Sequence, residues 1–190
     1  MLKRFSKSYL AQLCVVLVVG ILSSCLNGDA DNNAQEFVKP GDAVPEFQLT
    51  GANGEIVSSA SMLGQVYLLS FFDTGCPDCQ KEFPVLQQIY DKYKGVLSVL
   101  NVPRSQTEEE VQAYWSKAGL SMPVYIATDK ALYYKFATRG IPRTYIVDKQ
   151  GKVCDVLTDS PLADYDTLDA ILQQLLGNGL PKDSVTSHLD

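Results

Sequence analysis

The chain holds a single histidine in 190 residues, His188. That scarcity argues against a zinc site, which needs about four ligands and draws them from histidines or a second close cysteine pair. Positive charge is short as well: 16 Lys and Arg face 22 Asp and Glu, a net charge of −6. Lys3, Arg4 and Lys7 are the charged residues of the first 24, so without that stretch the net charge falls by three to −9. No basic stripe offsets it, and so acidic a body repels a phosphate backbone; nucleic acid is not an expected partner. There is no internal repeat. Residues 13–22 are almost wholly apolar, but this run is shorter than the roughly 20 residues a membrane span needs. With its basic start it reads as a secretory signal peptide over residues 1–24, a permanent transmembrane helix being the alternative.

Five cysteines are present, and their contexts do not form a disulfide framework. Cys14 lies inside the leader, and Cys25 closes it. Leu22-Ser23-Ser24-Cys25 resembles a bacterial lipobox, in which the leader is cut before a cysteine that becomes lipid-modified. That resemblance implies Cys25 as the first mature residue, held in a membrane by acyl chains, of which more than one is needed for a stable anchor. Residues 25–36 are small, polar and acidic without helical or strand period, the composition of a flexible tether. Cys154 stands alone in a strand pattern and is expected to be inert packing.

Residues 37–176 alternate short apolar runs with amphipathic stretches, and residues 177–190 lose that period and read as a loose tail. Phe47-Gln48-Leu49 and Glu55-Ile56-Val57 flank a turn containing Asn53-Gly54, a hairpin signal. The run VYLLSFF at 66–72 predicts a strand buried on both faces, and 96–102 a second. Helices are expected over 76–93, 107–118, 129–137 and 164–176, with Thr107 and Glu110 spaced as a capping box. Val111, Tyr114, Trp115 and Ala118 form that helix's apolar face. A short strand at 124–127 and a hairpin of 143–147 with 152–157 complete the order. The class is α/β, a mixed central sheet with helices on both faces and an N-terminal β-hairpin.

Cys76-Pro77-Asp78-Cys79 follows the first buried strand and opens a helix, the context of a redox pair. Cys76 would lie at the helix start, where unpaired N–H groups and the dipole favour an anion. Cys79, one turn on, could attack a mixed disulfide at Cys76 and release the product. Pro77 suits the first turn, since the N–H it lacks would have no partner there. A metal half-site and a static disulfide are the other readings of this pair.

The segment 71–84, FFDTGCPDCQKEFP, resembles the active-site segment of TlpA/ResA-type thioredoxin-like proteins. Gly140-Ile141-Pro142-Arg143-Thr144-Tyr145-Ile146-Val147-Asp148 resembles the family's cis-proline segment, and Gly151-Lys152-Val153 its final hairpin. The likeness covers about residues 40–176. It implies a thioredoxin-like fold, Cys76 as nucleophile, Cys79 as resolving thiol, and Pro142 as a cis-proline facing them. Ile141 would offer backbone groups to the substrate chain beside Pro77. Glu82 matches an acid that helps move protons at the buried cysteine; a solvated helix carboxylate is the other reading. The implied activity is reduction of disulfides in exported proteins, without a cofactor, in the cell envelope outside the cytoplasm, with electrons from a membrane donor. Gly75 departs from the family's tryptophan, a change expected to remove a flat apolar platform and to open the site. Asp73 and Asp78 place negative charge beside the thiolate that the helix start favours. Two alternatives stay open: a peroxiredoxin, although Thr74 lies two rather than three residues before Cys76, and a lipid-anchored binding module without catalysis.

Overall fold

The computed structural model describes residues 35–177. The leader, Cys25 and most of the tether and tail therefore lie outside the described residues. The elements run β1 Gln48–Thr50, β2 Ile56–Ser58, β3 Val66–Phe72, α1 Pro77–Lys92, β4 Leu97–Pro103 and α2 Glu108–Ala118. A 3-10 turn at Tyr133–Lys135, β5 Arg143–Val147, β6 Val153–Leu157 and α3 Tyr165–Leu176 follow. β1 and β2 form the expected antiparallel hairpin. The main sheet has the order β4-β3-β5-β6, with β3 parallel to β4 and antiparallel to β5. The mixed sheet flanked by helices is thus as the sequence implied.

Every residue of β3 is buried, as a continuous apolar run requires of a strand covered on both faces. Successive side chains point to opposite faces. Val66, Leu68 and Phe72 join α1, α2 and α3 in one core, built on Phe83, Leu86, Trp115, Leu168 and Leu172. Tyr67, Leu69 and Phe71 enter a second core with Phe47, Leu49, Tyr133, Phe136 and Tyr145. Helices on both faces were expected; the buried apolar residues of the three α-helices all lie in the first core, and the second is closed by the hairpin and the 3-10 turn.

Two expected elements shrink. Residues 124–127 supply only single bridges, Val124 to Asn101 and Tyr125 to Gly51. Pro123 has no N–H to extend that ladder, and the Asn101 side chain takes its carbonyl at 2.8 Å. In 129–137, Asp129 Oδ1 accepts the Ala131 N–H at 2.8 Å, an Asx turn that competes with helix, leaving the 3-10 turn.

The tether reading ends early. Gln35 donates its N–H to Thr138 Oγ1 at 2.9 Å, and Glu36 bridges Ala137 while its carboxylate meets Arg143 Nη1 at 3.0 Å. Backbone bridging and the counter-charge of a buried guanidinium order these polar residues, neither of which shows as apolar period. Among the described residues, no helix is long and apolar enough to cross a membrane.

The capping box is present: Thr107 Oγ1 accepts the Glu110 N–H, and the Glu110 side chain accepts the Thr107 N–H. Thr107→Ala is expected to lower stability by about 1 kcal/mol, the usual worth of such a cap. Urea unfolding checks it; the midpoint should fall at unchanged slope.

Candidate active site

β3 ends at Phe72, and the chain turns through Asp73, Thr74 and Gly75 into α1. The turn is closely held. Gly75 donates its N–H to Asp73 Oδ1 at 2.8 Å, and Cys76 donates its N–H to the Asp73 carbonyl at 3.0 Å. Thr74 gives its N–H to Gln106 Oε1 at 2.9 Å, and Gln106 Nε2 returns a bond to Thr74 Oγ1 at 2.8 Å. Gln80 Nε2 adds a bond to the Thr74 carbonyl at 2.7 Å. Gln106, which precedes the capping box, thereby ties the loop after β4 to the residues before Cys76. Nothing in the local sequence pointed to it.

Cys76 is the N-cap residue of α1, extended at φ −81° and ψ 120°, and Pro77 occupies the first turn, exposed. The helix start thus offers its unpaired N–H groups beside a half-buried sulfur. The Cys76 thiol donates to the Ile141 carbonyl at 3.7 Å, a bond within reach for sulfur. Ile141 and Pro142 are joined by a cis peptide bond. The structure therefore brings Cys76, Pro77, Ile141 and Pro142 to one place, although some sixty residues separate the two motifs.

Cys79 is fully buried, one turn into α1. Burial pushes its thiol well above the ordinary range, the Cys76 and Glu82 side chains add to this, and the Asp73 backbone opposes it. The two cysteines are thus unlike: one reachable, one shielded and holding its proton tightly.

Glu82 is 1% exposed, so the solvated reading of this carboxylate does not describe it. Burial raises its carboxyl to about 7, against a smaller lowering by the Thr144 hydroxyl. Thr144 Oγ1 lies 3.1 Å from Glu82 Oε1 and 2.9 Å from Ser70 Oγ, while Oε2 has no hydrogen-bond partner. The Glu82 charge acts on Cys79. An acid that gains and loses its proton near neutrality, beside a buried thiol, can exchange protons with it. Ser70 and Thr144 were not singled out from sequence; the period-2 alternation that turns both toward α1 is the signal that could have found them.

The two carboxylates expected to oppose the thiolate are both engaged. Asp73 closes the turn with Gly75, and Asp78 pairs with Lys81 at 2.8 Å. Gly75 is exposed, and a Cβ there would meet only Asp73 Oδ1, at 3.3 Å, so the missing side chain leaves open space beside Cys76. Cys154 lies in β6 as expected but is half-buried rather than enclosed, because β6 is the edge strand of the sheet. Among the described residues, no cluster of three His, Cys, Asp or Glu side chains is placed to hold a metal ion.

Comparison with known proteins adds to this geometry. A sequence model of the AhpC/TSA family matches residues 40–156. The thiol-disulfide oxidoreductase ResA of Bacillus subtilis is 27% identical over 136 residues, which is 69% of this chain and 76% of that protein. The crystal structure of a thiol:disulfide interchange protein of the thioredoxin family from Chlorobium tepidum superposes with a TM-score of 0.62 at 26% identity, over 72% of this chain and 97% of that one. A thio-disulfide isomerase from Thermus thermophilus gives 0.61 at 25% identity, over 73% and 97%.

Proposed function

The chain belongs to the AhpC/TSA family, as a thioredoxin-like thiol–disulfide oxidoreductase of the TlpA/ResA type, and from that premise we propose that it reduces disulfides of exported proteins through the Cys76–Cys79 dithiol. One observation carries the reading: an accessible sulfur at a helix N-terminus, beside the Ile141 carbonyl that precedes the cis-proline, with a shielded second thiol one turn behind.

The reaction follows from that asymmetry. Cys76, as thiolate, attacks a substrate disulfide, and one substrate sulfur leaves while the other stays bonded to Cys76. Ile141 and Pro142 would meet the substrate backbone, beside Pro77. Glu82 accepts the Cys79 proton. The Cys79 thiolate then attacks Cys76, the Cys76–substrate bond breaks, and the substrate departs as a dithiol. The protein is left with a Cys76–Cys79 disulfide, which an electron donor in the membrane reduces. The leader and the lipobox ending at Cys25 support a lipid-anchored position in the cell envelope, outside the cytoplasm.

Insulin-disulfide reduction tests this. The protein, with dithiothreitol as electron source, is expected to accelerate insulin precipitation well above dithiothreitol alone, with a Cys76–Cys79 bridge appearing by mass spectrometry in oxidising glutathione buffer. No acceleration, with both thiols unbridged in every buffer, would overturn the reading. Hydrogen peroxide consumption by the same preparation distinguishes a peroxiredoxin, and absence of both activities leaves the non-catalytic binding module.

A further inference from the structure

Ser70 and Thr144 stand opposite each other in register across β3 and β5. Alternation turns both toward α1 rather than toward the second core, whose residues Leu69, Phe71 and Tyr145 flank them. Both are fully buried. Each hydroxyl in such a place needs a partner, and they find it in one another and in Glu82, at 2.9 and 3.1 Å.

We propose that Ser70 and Thr144 form a hydroxyl relay that positions the Glu82 carboxyl and governs when it can take the Cys79 proton. The inference rests on the reading of Glu82 as the group that exchanges a proton with Cys79. A hydroxyl has one proton to give and can accept as well. With Glu82 ionised, Thr144 donates to Oε1 and Ser70 donates to Thr144. With Glu82 protonated on Oε1, the chain can run the other way, from Glu82 to Thr144 to Ser70. Oε1 is therefore satisfied in both states by rotation of two hydroxyls, with no movement of the backbone. Oε2 has no hydrogen-bond partner, so the relay holds the carboxyl through Oε1 alone.

The surroundings isolate the relay from other charges. Cys79 precedes Glu82 by three residues on α1, and both Glu82 and Cys76 act on its thiol. β3 and β5 present the uncharged Ser70 and Thr144, and α3 contributes the apolar Leu168 and Leu172 to this core. The Thr144 hydroxyl bond is the influence that favours the ionised carboxyl against burial. Removing it makes Glu82 a reluctant acceptor at neutral pH. In the step concerned, the Cys79 S–H proton passes to Glu82, and the Cys79 thiolate attacks the Cys76 sulfur. The Cys76–Cys79 bond forms as the Cys76–substrate bond breaks, and the electron pair leaves on the substrate sulfur, which takes a proton from solvent.

Ellman's reagent reads the two cysteines in turn. With the reduced full-length protein, Cys76 attack releases a first thionitrobenzoate, and Cys79 attack on the resulting mixed disulfide releases a second. The rate of the second release is followed against pH. In Thr144→Val its midpoint is expected to move up by about one pH unit, the scale of a lost hydrogen bond to the charged form. The first release should keep its wild-type profile, and Thr144→Ser should restore the second. Ser70→Ala, which leaves the Thr144–Glu82 bond in place, should move the midpoint the same way by about half a unit. It serves as the deciding variant if Thr144→Val does not fold. An unmoved midpoint in these variants, with the ionisation lost in Glu82→Gln, overturns the relay alone. An unmoved midpoint in Glu82→Gln as well overturns both the relay and the assignment of Glu82.

Discussion

Cys79→Ser is expected to halt turnover and to leave the protein joined to its substrate. Cys76 remains at the start of α1, half-buried and able to attack, so the first exchange still proceeds. The second does not, because the group one turn behind is now a hydroxyl. Intramolecular attack by a well-placed group corresponds to effective concentrations of about 10⁵ M or more, far beyond millimolar external thiol. Release of substrate should therefore slow by on the order of a thousandfold or more. Non-reducing electrophoresis with a disulfide-bearing substrate should show a stoichiometric adduct that dithiothreitol dissolves. Cys76→Ser should form no adduct and reduce insulin no faster than dithiothreitol alone, because Cys79 is fully buried and holds its proton tightly. Adduct formation of equal yield in Cys76→Ser would reverse the assignment of the two sulfurs.

The second large effect belongs to Glu82→Gln, in rate and in stability together. A positioned base contributes about 10²–10⁴ to a proton transfer. At pH 8 the variant's Cys79 step should slow by about a hundredfold. Its rate should also lose the ionisation near 7 that the buried carboxyl supplies. Stability moves oppositely. The carboxyl titrates at about 7 when folded and near its ordinary 4.5 when unfolded, so the folded protein holds the proton more tightly. Its contribution is fully present below about pH 4.5 and is lost as pH rises to about 7, a change of roughly 3 kcal/mol. Glutamine does not ionise and escapes this loss. The stability of Glu82→Gln relative to wild type should rise between pH 4 and pH 8 by about that amount. Urea midpoints at the two pH values measure it, and a difference independent of pH would place the carboxyl in contact with water.

Much of this arrangement could be read along the chain because the signals are local. The run from Val66 to Phe72, the Thr107–Glu110 spacing and the Cys76–Cys79 interval each lie within a few residues, and each appears where its period or spacing implied. What escaped was set by contacts between distant segments. Ser70 meets Thr144 only through the pairing of β3 with β5, and Gln106 meets Thr74 only because β4 ends beside β3. Residues 129–137 have helical composition, but one aspartate side chain diverts the first amide and the segment tightens instead. Ala118 completes a helical spacing yet is exposed, because α2 ends there, at Gly119 in the left-handed conformation. Glu82 shows both outcomes. Its spacing from Cys79 was plain, while its burial depended on the sheet lying beneath it.

The bond between Glu36 and Arg143 bears on where the folded body can be cut free. Arg143 follows the cis-proline directly, is 5% exposed, and also donates to the Arg139 carbonyl at 3.3 Å. A soluble version beginning at Phe37 would discard the carboxylate and strand an enclosed cation one residue from Pro142, in the loop that would receive substrate. Its weakened activity could then be mistaken for the loss of a membrane anchor. A version that starts upstream of Gln35 keeps the loop's scaffold intact and separates the two effects.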